Sequence, residues 1–338
     1  MKKLLETLYV LTPESYLYER NDNICLSIGG NERASVPASQ VESIVFFGKN
    51  TLSTHLLGLC ASHGITVSFM DANGRFLSRM CGPVSGNVLL RKRQYAAMEN
   101  DEFVLRFVRD LLYGKLRNSK EVLLRHARKG ENGQSLYQAA EQLALLAKQM
   151  GTCLDVDSLR GMEGAAASTY FEQFDCMLSS PSGFRFERRS RKPPRNEVNA
   201  VLSFLYTMLA HDMSAALETV GLDPAAGYLH ALRPGRPSLA LDMMEELRAP
   251  LCDRLTLTMF NKGQLSGRDF ERVSQAVYLN DAGRKKVLTQ WRARKQEQIT
   301  HPFLKEKMPI GIIPYAQSML FARVLRGDLD QYPPFVWR

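Results

Sequence analysis

The sequence predicts an α+β protein, with a small, mainly β N-terminal domain over residues 1–86 and a larger all-α helical domain over residues 87–338. Three observations carry that prediction. Short β-prone runs parted by turn residues fill the first stretch. Long segments with apolar residues at i, i+3 and i+4 fill the rest. The charge divides at the same place: residues 1–90 hold seven Lys/Arg and seven Asp/Glu, so the net charge of +9 belongs to the remainder. With 338 residues and 45% hydrophobic composition, the chain can bury a sizeable core in one or two domains.

In order along the chain, Tyr9-Val10-Leu11, Tyr16-Leu17-Tyr18 and the run from Ile24 to Ile28 are expected strands. Thr12-Pro13, Asn21-Asp22-Asn23 and Gly29-Gly30-Asn31 supply the turns between them. Val41 to Phe47 is another strand, stopped by Gly48. Ser53 to Ser62 has helical spacing, with Leu56, Leu57 and Cys60 on one side, and Gly64 ends it before the strand from Ile65 to Met70. Asp71-Ala72-Asn73-Gly74 turns the chain into Arg75-Phe76-Leu77. Amphipathic helices are then expected over 88–115, 118–129, 134–150, 157–179, 195–220 and 238–263, with short ones over 266–277, 281–297 and 314–327. Two loops interrupt them. Phe184 to Arg195 carries six basic residues, one acid and Pro193-Pro194; Gly221 to Pro237 is rich in Gly and Pro and contains His230, Arg233 and Arg236.

Several classes are excluded at this level. No run approaches 18 uncharged apolar residues, so no membrane span is expected. Glu6 and Glu14 interrupt the basic-apolar start, so a secretory leader is not expected either, and the protein reads as soluble and cytoplasmic. Six cysteines without a CxxC pair read as reduced thiols, not as a disulfide framework or zinc cage. The basic second part points to a polyanion, nucleic acid first; a merely basic soluble protein is the alternative.

Chemistry concentrates in three places. The helix opening at Ser238 places Asp242 and Glu245 on one face, with Glu246 alongside, among otherwise apolar residues. Carboxylates in such company need a cation: a metal ion, or a salt bridge to Arg248 or Arg233. His230 lies shortly before that helix, and an imidazole with carboxylates suits Mn²⁺ better than Mg²⁺. Glu163 sits in Gly161-Met162-Glu163-Gly164-Ala165-Ala166-Ala167. Two helical glycines cost roughly 1 kcal/mol each relative to alanine, so tight packing or a substrate is expected to compensate.

Taken together these segments resemble the CRISPR-associated integrase family. The resemblance is carried by Gly-Met-Glu-Gly-Ala-Ala-Ala around Glu163, by Gly227-Tyr228-Leu229-His230, and by the Ser238 to Arg248 helix. Arg191 to Leu209, with Asn196, Asn199-Ala200 and Leu202-Ser203-Phe204, is similar to the family's central helix. Gly86-Asn87 through Gln94 is similar to its inter-domain passage, and Gln317 to Trp337 to its type I-C branch. The resemblance spans essentially the whole chain. It implies Glu163, His230 and Glu245 as catalytic residues and metal ligands. Asp242, Glu246 and Asn199 are implied as neighbouring or alternative ligands.

The implied reaction is transesterification. A free 3′-hydroxyl on a captured DNA fragment attacks a phosphodiester at the edge of a CRISPR repeat, aided by Mg²⁺ or Mn²⁺. Arg91, Lys92, Arg93, Arg188, Arg189, Arg233 and Arg236 are the expected DNA-binding residues, with Arg284-Lys285-Lys286, Arg292, Arg294 and Lys295 as a further basic cluster. The resemblance also implies double-stranded DNA as partner, a homodimer made by the neutral β domain, and a small ferredoxin-like CRISPR-associated partner dimer. A stand-alone metal-dependent DNA nuclease and a non-catalytic DNA-bridging subunit are the competing expectations.

Overall fold

Two-residue turns organise the N-terminal strands in the computed structural model, which describes residues 5–71, 74, 76–80, 82, 88–128, 133–179, 181 and 183–337. Asn21 and Asp22 have φ of 52° and 62°, and Gly29 and Gly30 have 58° and 79°. Both pairs match the left-handed turns that suit the twist of a hairpin. They join β2 (Tyr16–Arg20) to β3 (Asn23–Ile28) and β3 to β4 (Asn31–Pro37), all antiparallel. Asn31, expected as a turn residue, opens a strand that the sequence does not predict. β4 is exposed along nearly its whole length, so no hydrophobic alternation announces it.

Two four-stranded sheets result. One has the order β4-β3-β2-β6, with β6 at Thr51–Leu52. The other has β1 (Glu6–Val10), β5 (Val41–Phe47), β7 (Thr66–Met70) and β8 (Phe76–Met80) in that order. Helix α1 (Thr54–His63) is capped by the Ser53 side chain, which accepts from the Leu56 N–H at 3.1 Å, and closed by Gly64 at φ 68°. Leu17, Ile24, Ile44, Phe46, Leu56, Cys60, Ile65 and Val67 form the core of this part. Ala72 and Asn73 of the expected turn, Arg75 just after it, Cys81, and Gly86-Asn87 at the expected boundary lie outside the described residues.

Backbone proximity divides the chain into one unit of Met1–Gly86 with Asn280–Leu288 and another of Asn87–Leu279 with Thr289–Arg338. In the second unit, α2 (Val88–Met98) and α3 (Asp101–Ala127) replace the expected helices 88–115 and 118–129. The break falls at Asn100, whose side chain accepts from the Phe103 N–H at 2.9 Å, with Asp101 and Glu102 completing a strong start signal. Lys129, at the end of the second expected helix, is outside the described residues. α4 (Gly133–Gln149) and α5 (Val156–Glu172) lie against α3.

α6 (Glu197–Val220) is long and apolar enough to cross a membrane by composition, yet its apolar window is 67% buried within the protein, as befits a core helix. The single helix expected over 238–263 is four pieces: α7 (Ser238–Met243), α8 (Glu245–Leu247), a π-helical turn (Arg248–Asp253) and α9 (Arg254–Asn261). Pro250 has no N–H to give the preceding turn, and the widened turn accommodates it.

The expected all-α character needs two corrections. Residues 266–277 do not form a helix: a 3₁₀ turn leads into a hairpin of β9 (Phe270–Val273) and β10 (Ala276–Leu279). A second hairpin joins β11 (Gln298–Thr300) to β12 (Lys307–Pro309) between α10 (Asp281–Gln296) and α11 (Ile313–Arg326). The fold is therefore a β-sheet unit followed by a mostly helical one. Phe107 of α3, Tyr228, Phe321 of α11 and Tyr332 form an aromatic core, with Phe107 and Phe321 centroids 4.4 Å apart.

Candidate functional site

Asp242 shapes the loop that carries His230. Its fully buried carboxylate accepts the backbone N–H groups of Tyr228 at 2.6 Å, Leu229 at 3.0 Å and His230 at 2.9 Å. It also pairs with His230 Nδ1 at 2.7 Å. Gly227 makes the close approach possible, because a Cβ there would lie 2.6 Å from the Ser238 Cβ and 2.9 Å from Asp242 Oδ2. The carboxylate thus fixes the imidazole ring and leaves Nε2 as its outward nitrogen, the arrangement by which outer carboxylates orient metal-binding histidines. Arg160 of α5 donates to the Leu229 carbonyl through Nε at 3.1 Å and Nη2 at 2.7 Å, tying the Glu163 helix to the histidine loop.

His230 Nε2 lies 3.9 Å from Glu245 Oε1. Lys115 of α3 ion-pairs with Glu163 Oε1 and, at 2.8 Å, with Glu245 Oε2. Arg248 Nη2 stands 3.0 Å from Glu245 Oε1. Glu163, His230 and Glu245, from three distant stretches of sequence, therefore surround one small region. The salt-bridge alternative also holds, since Arg248 does pair with Glu245. Burial opposes ionisation of Glu245, but Arg248 and Lys115, helped by His230, overcome it and hold the carboxyl at about 2. Its Oε2 has no hydrogen bond of good geometry, so the Lys115 contact is one of charge.

An ammonium already mediates between the two glutamates. Among the described residues no three His, Cys, Asp or Glu side chains are spaced to hold a metal ion as they stand. The donor chemistry nevertheless fits a hard divalent cation: two carboxylates share the Lys115 ammonium, and an imidazole ring is held beside them by a buried aspartate. Beside them a cavity of about 30 Å³, room for a water or an ion, is lined by Lys115, Glu163, Arg189, Arg191, Glu245 and Arg248.

Comparison with known proteins gives a consistent result. The family model of the CRISPR-associated protein Cas1 matches residues 8–293. The chain belongs to the Cas1 family. A relative from Rhodospirillum rubrum, described as a CRISPR-associated endonuclease Cas1, is 48% identical over 350 residues and covers 100% of both chains. One from Chlorobaculum tepidum with the same description is 45% identical over 344 residues, again covering 100% of both. A Cas1 protein from Thermotoga maritima shares the fold at a TM-score of 0.83 and 24% identity, over 95% of this chain and 97% of that one.

The other predicted residues of this Cas1-family site take varied places. Glu246 faces the C-terminal tail: Gln317 Nε2 and the Tyr332 hydroxyl donate to Oε1 at 2.8 and 2.7 Å, and the Phe335 N–H to Oε2 at 2.8 Å. Both oxygens are taken, so in this structure Glu246 anchors the tail. Asn199 is fully buried and holds the basic loop onto α6. It accepts from Arg189 Nη1 at 2.7 Å and the Ser190 N–H at 3.0 Å, and donates to the Arg188 carbonyl at 2.8 Å. It is absent from the residues that line the cavity beside Glu163.

Among the basic residues, Arg189 and Arg191 line that cavity, while Lys92, Arg93, Arg188 and Arg233 are exposed and Arg236 is half-buried. Arg91 and Arg93 also donate to the Gly221 and Arg326 carbonyls, at 3.2 and 2.6 Å. Much of the late cluster is committed to structure: Arg284 pairs with Asp281, Arg294 with Glu297, and Lys295 with Asp212 at 3.0 Å. The glycines beside Glu163 are not packing devices, because a Cβ at Gly161 or Gly164 would meet no described atom within 4 Å. That side of α5 is open.

Sequence reasoning missed Lys115, Tyr170, Tyr206 and Asp253. Asp253 is buried and accepts from the Tyr206 hydroxyl at 2.6 Å and the Tyr170 hydroxyl at 3.1 Å, while burial pushes its carboxyl up to about 6. Arg189 and Arg248 stack on the Tyr206 ring, at 5.3 and 4.9 Å from its centroid. Lys115 lies in an amphipathic helix with many charged residues, so no local signal distinguishes it.

Proposed function

We propose that this Cas1-family protein is a divalent-metal-dependent DNA endonuclease and integrase that joins DNA fragments to a CRISPR repeat by 3′-hydroxyl transesterification. The observation that carries this reading is the pair of glutamates sharing the Lys115 ammonium, next to a histidine whose ring Asp242 holds. Glu163, Glu245 and His230 Nε2 would hold Mg²⁺ or Mn²⁺ when Lys115 withdraws. The ion, when bound, supplies positive charge to the phosphoryl oxygens and to the oxygens that attack and leave.

The chain's own residues do the remainder. Asp242 holds His230 through Nδ1, so that Nε2 is the nitrogen turned toward Glu245. Arg248 fixes Glu245 in its ionised form. Arg189 and Arg191, which line the cavity, place positive charge where a phosphodiester would enter. The open side of α5 at Gly161 and Gly164 leaves space for a strand beside Glu163. Exposed Lys92, Arg93, Arg188 and Arg233 would follow the backbone, each contact adding salt-dependent affinity.

The exchange of one phosphodiester for another needs no ATP. Double-stranded DNA, a homodimer formed through the β unit, a small ferredoxin-like partner dimer and a cytoplasmic setting complete the proposal. The test is joining of a 3′-ended duplex to a repeat-containing plasmid. His230→Ala is expected to abolish joining while DNA binding survives. Undiminished joining by that variant overturns the site, and cleavage without branched products in the parent protein leaves a plain nuclease.

A further inference from the structure

A second cavity in the helical unit gathers arginines without acids to match them. Arg254 of α9 holds its guanidinium carbon 4.7 Å from the Trp337 ring centre, and Arg294 of α10 stands 5.1 Å from the same ring. The Trp337 backbone is firmly placed: its main-chain N–H donates to Asn118 Oδ1 at 2.7 Å, and Asn118 Nδ2 donates to the Glu246 and Phe335 carbonyls at 2.6 and 2.7 Å. Next to it, a cavity of about 220 Å³ is lined by Arg125, Arg128, Arg254, Glu121, Pro250 and Trp337, among others. None of the three proposed metal ligands lines it.

The charge there is unbalanced. Three arginines face one glutamate in the lining. Arg294 is already occupied by Glu297 and by the Pro250 carbonyl at 3.2 Å. Among the described residues neither Arg125 nor Arg254 forms an ion pair. Burial, with Arg294 and Arg125 close by, lowers Arg254 to about 10. Crowding guanidinium groups around the half-buried Arg254 costs free energy unless an anion joins them.

We propose that this cavity is a phosphate-binding pocket, in which Arg125, Arg128 and Arg254 grip a phosphate group beside Trp337. Guanidinium groups present paired N–H donors that match phosphate oxygens, and stacking on the indole holds Arg254 ready at little conformational cost. Its volume is below the ~300–1,000 Å³ of typical small-molecule sites, so a phosphate with part of its sugar fits better than a whole dinucleotide. Two sources share that chemistry: a phosphodiester of nucleic acid and a free phosphate monoester.

The proposal goes beyond the joining reaction and is tested without it. Trp337 and Trp291 are the two tryptophans, and Trp291 is only 1% exposed, so a ligand at the pocket reports through Trp337 emission. The protein is titrated in chelator with inorganic phosphate, and then with a short DNA duplex. A saturable emission change is expected, lost in Trp337→Phe. Arg125→Gln and Arg254→Gln are each expected to weaken binding about tenfold, the scale of one charge-assisted hydrogen bond.

DNA that displaces phosphate at this signal makes the occupant a backbone phosphodiester, whereas phosphate that DNA leaves in place makes it a free monoester; both support the pocket. Arg125 is exposed, so its replacement keeps the test valid even if Arg254→Gln fails to fold. Absence of a saturable response in the parent protein, or an unchanged response in Arg125→Gln, overturns the proposal. Neither outcome bears on the metal-dependent site.

Discussion

Glu245 and Glu246 are neighbours in sequence and equally buried, yet they occupy opposite electrostatic worlds. Around Glu245 stand Arg248, Lys115 and His230, and the carboxyl is held at about 2. Around Glu246 stand neutral donors, Tyr332, Gln317 and the Phe335 N–H, and burial pushes the carboxyl up to about 7. Burial alone therefore decides little. Formal positive charge within contact keeps one acid ionised for cation chemistry, while neutral hydrogen bonds only partly offset desolvation and turn the other into a clasp for the tail.

The sharpest way to break this contrast is to remove each charge in turn. Glu245→Gln is expected to reduce strand joining roughly 10²–10³-fold, the scale of losing one electrostatic stabiliser at a reacting centre. Glu246→Gln should leave joining near the parent level at a permissive temperature. It should cost about 1–3 kcal/mol of stability, because an amide cannot accept at both oxygens as the carboxylate does. Plasmid joining and denaturant titration of the two variants measure this, and a reversed pattern would mean that Glu246, not Glu245, faces the reaction.

Lys115→Met probes what the cationic side of the comparison owes to its ammonium. Without it Glu163 and Glu245 lose their shared partner, and the metal-free protein should be destabilised by about 3 kcal/mol. Mn²⁺ should then raise the melting temperature of the variant more than that of the parent, since it need not displace the ammonium. An equal Mn²⁺ shift in both proteins would show that Lys115 does not occupy the ion's place.

The smallest expected effect sharpens the neutral side. Asp110 of α3 is raised to about 6, chiefly by burial, against the opposing influence of Gln331, Arg106 and Arg109. The folded state thus holds this proton more tightly than the unfolded chain, whose carboxyl titrates near 3.9. Its contribution to stability is fullest below that value and is lost as pH rises through about 6. Asp110→Asn should therefore be more stable than the parent at pH 7 by about 1–2 kcal/mol, with the gap closing in acid below the unfolded value. Paired denaturant titrations across that range check it, and a gap that widens in acid would contradict it.

The segments around Glu163, His230 and Glu245 carried the family resemblance because each keeps several distinctive residues in a row. The β unit was legible for a different reason: its turns use Asn-Asp and Gly-Gly at positions of positive φ, and its buried strands are apolar. β4 escaped because an exposed strand has no apolar face to advertise. The hairpin at Phe270–Leu279 escaped because four-residue strands mimic helical spacing over so short a window.

By itself the sequence determined the β-then-helical order and the neutral and basic portions, for which local patterning and composition are sufficient. The three residues proposed to hold the ion are implied by its resemblance to the family, not by composition or spacing. Only the tertiary structure decided that Lys115 stands between Glu163 and Glu245, that Asp242 orients His230, and that Glu246 turns away to hold the tail. Those outcomes depend on which helices lie side by side, across separations of 48 and 128 residues in the case of Lys115 with Glu163 and Asn118 with Glu246. Charge partners that distant leave no trace in a window of neighbouring residues.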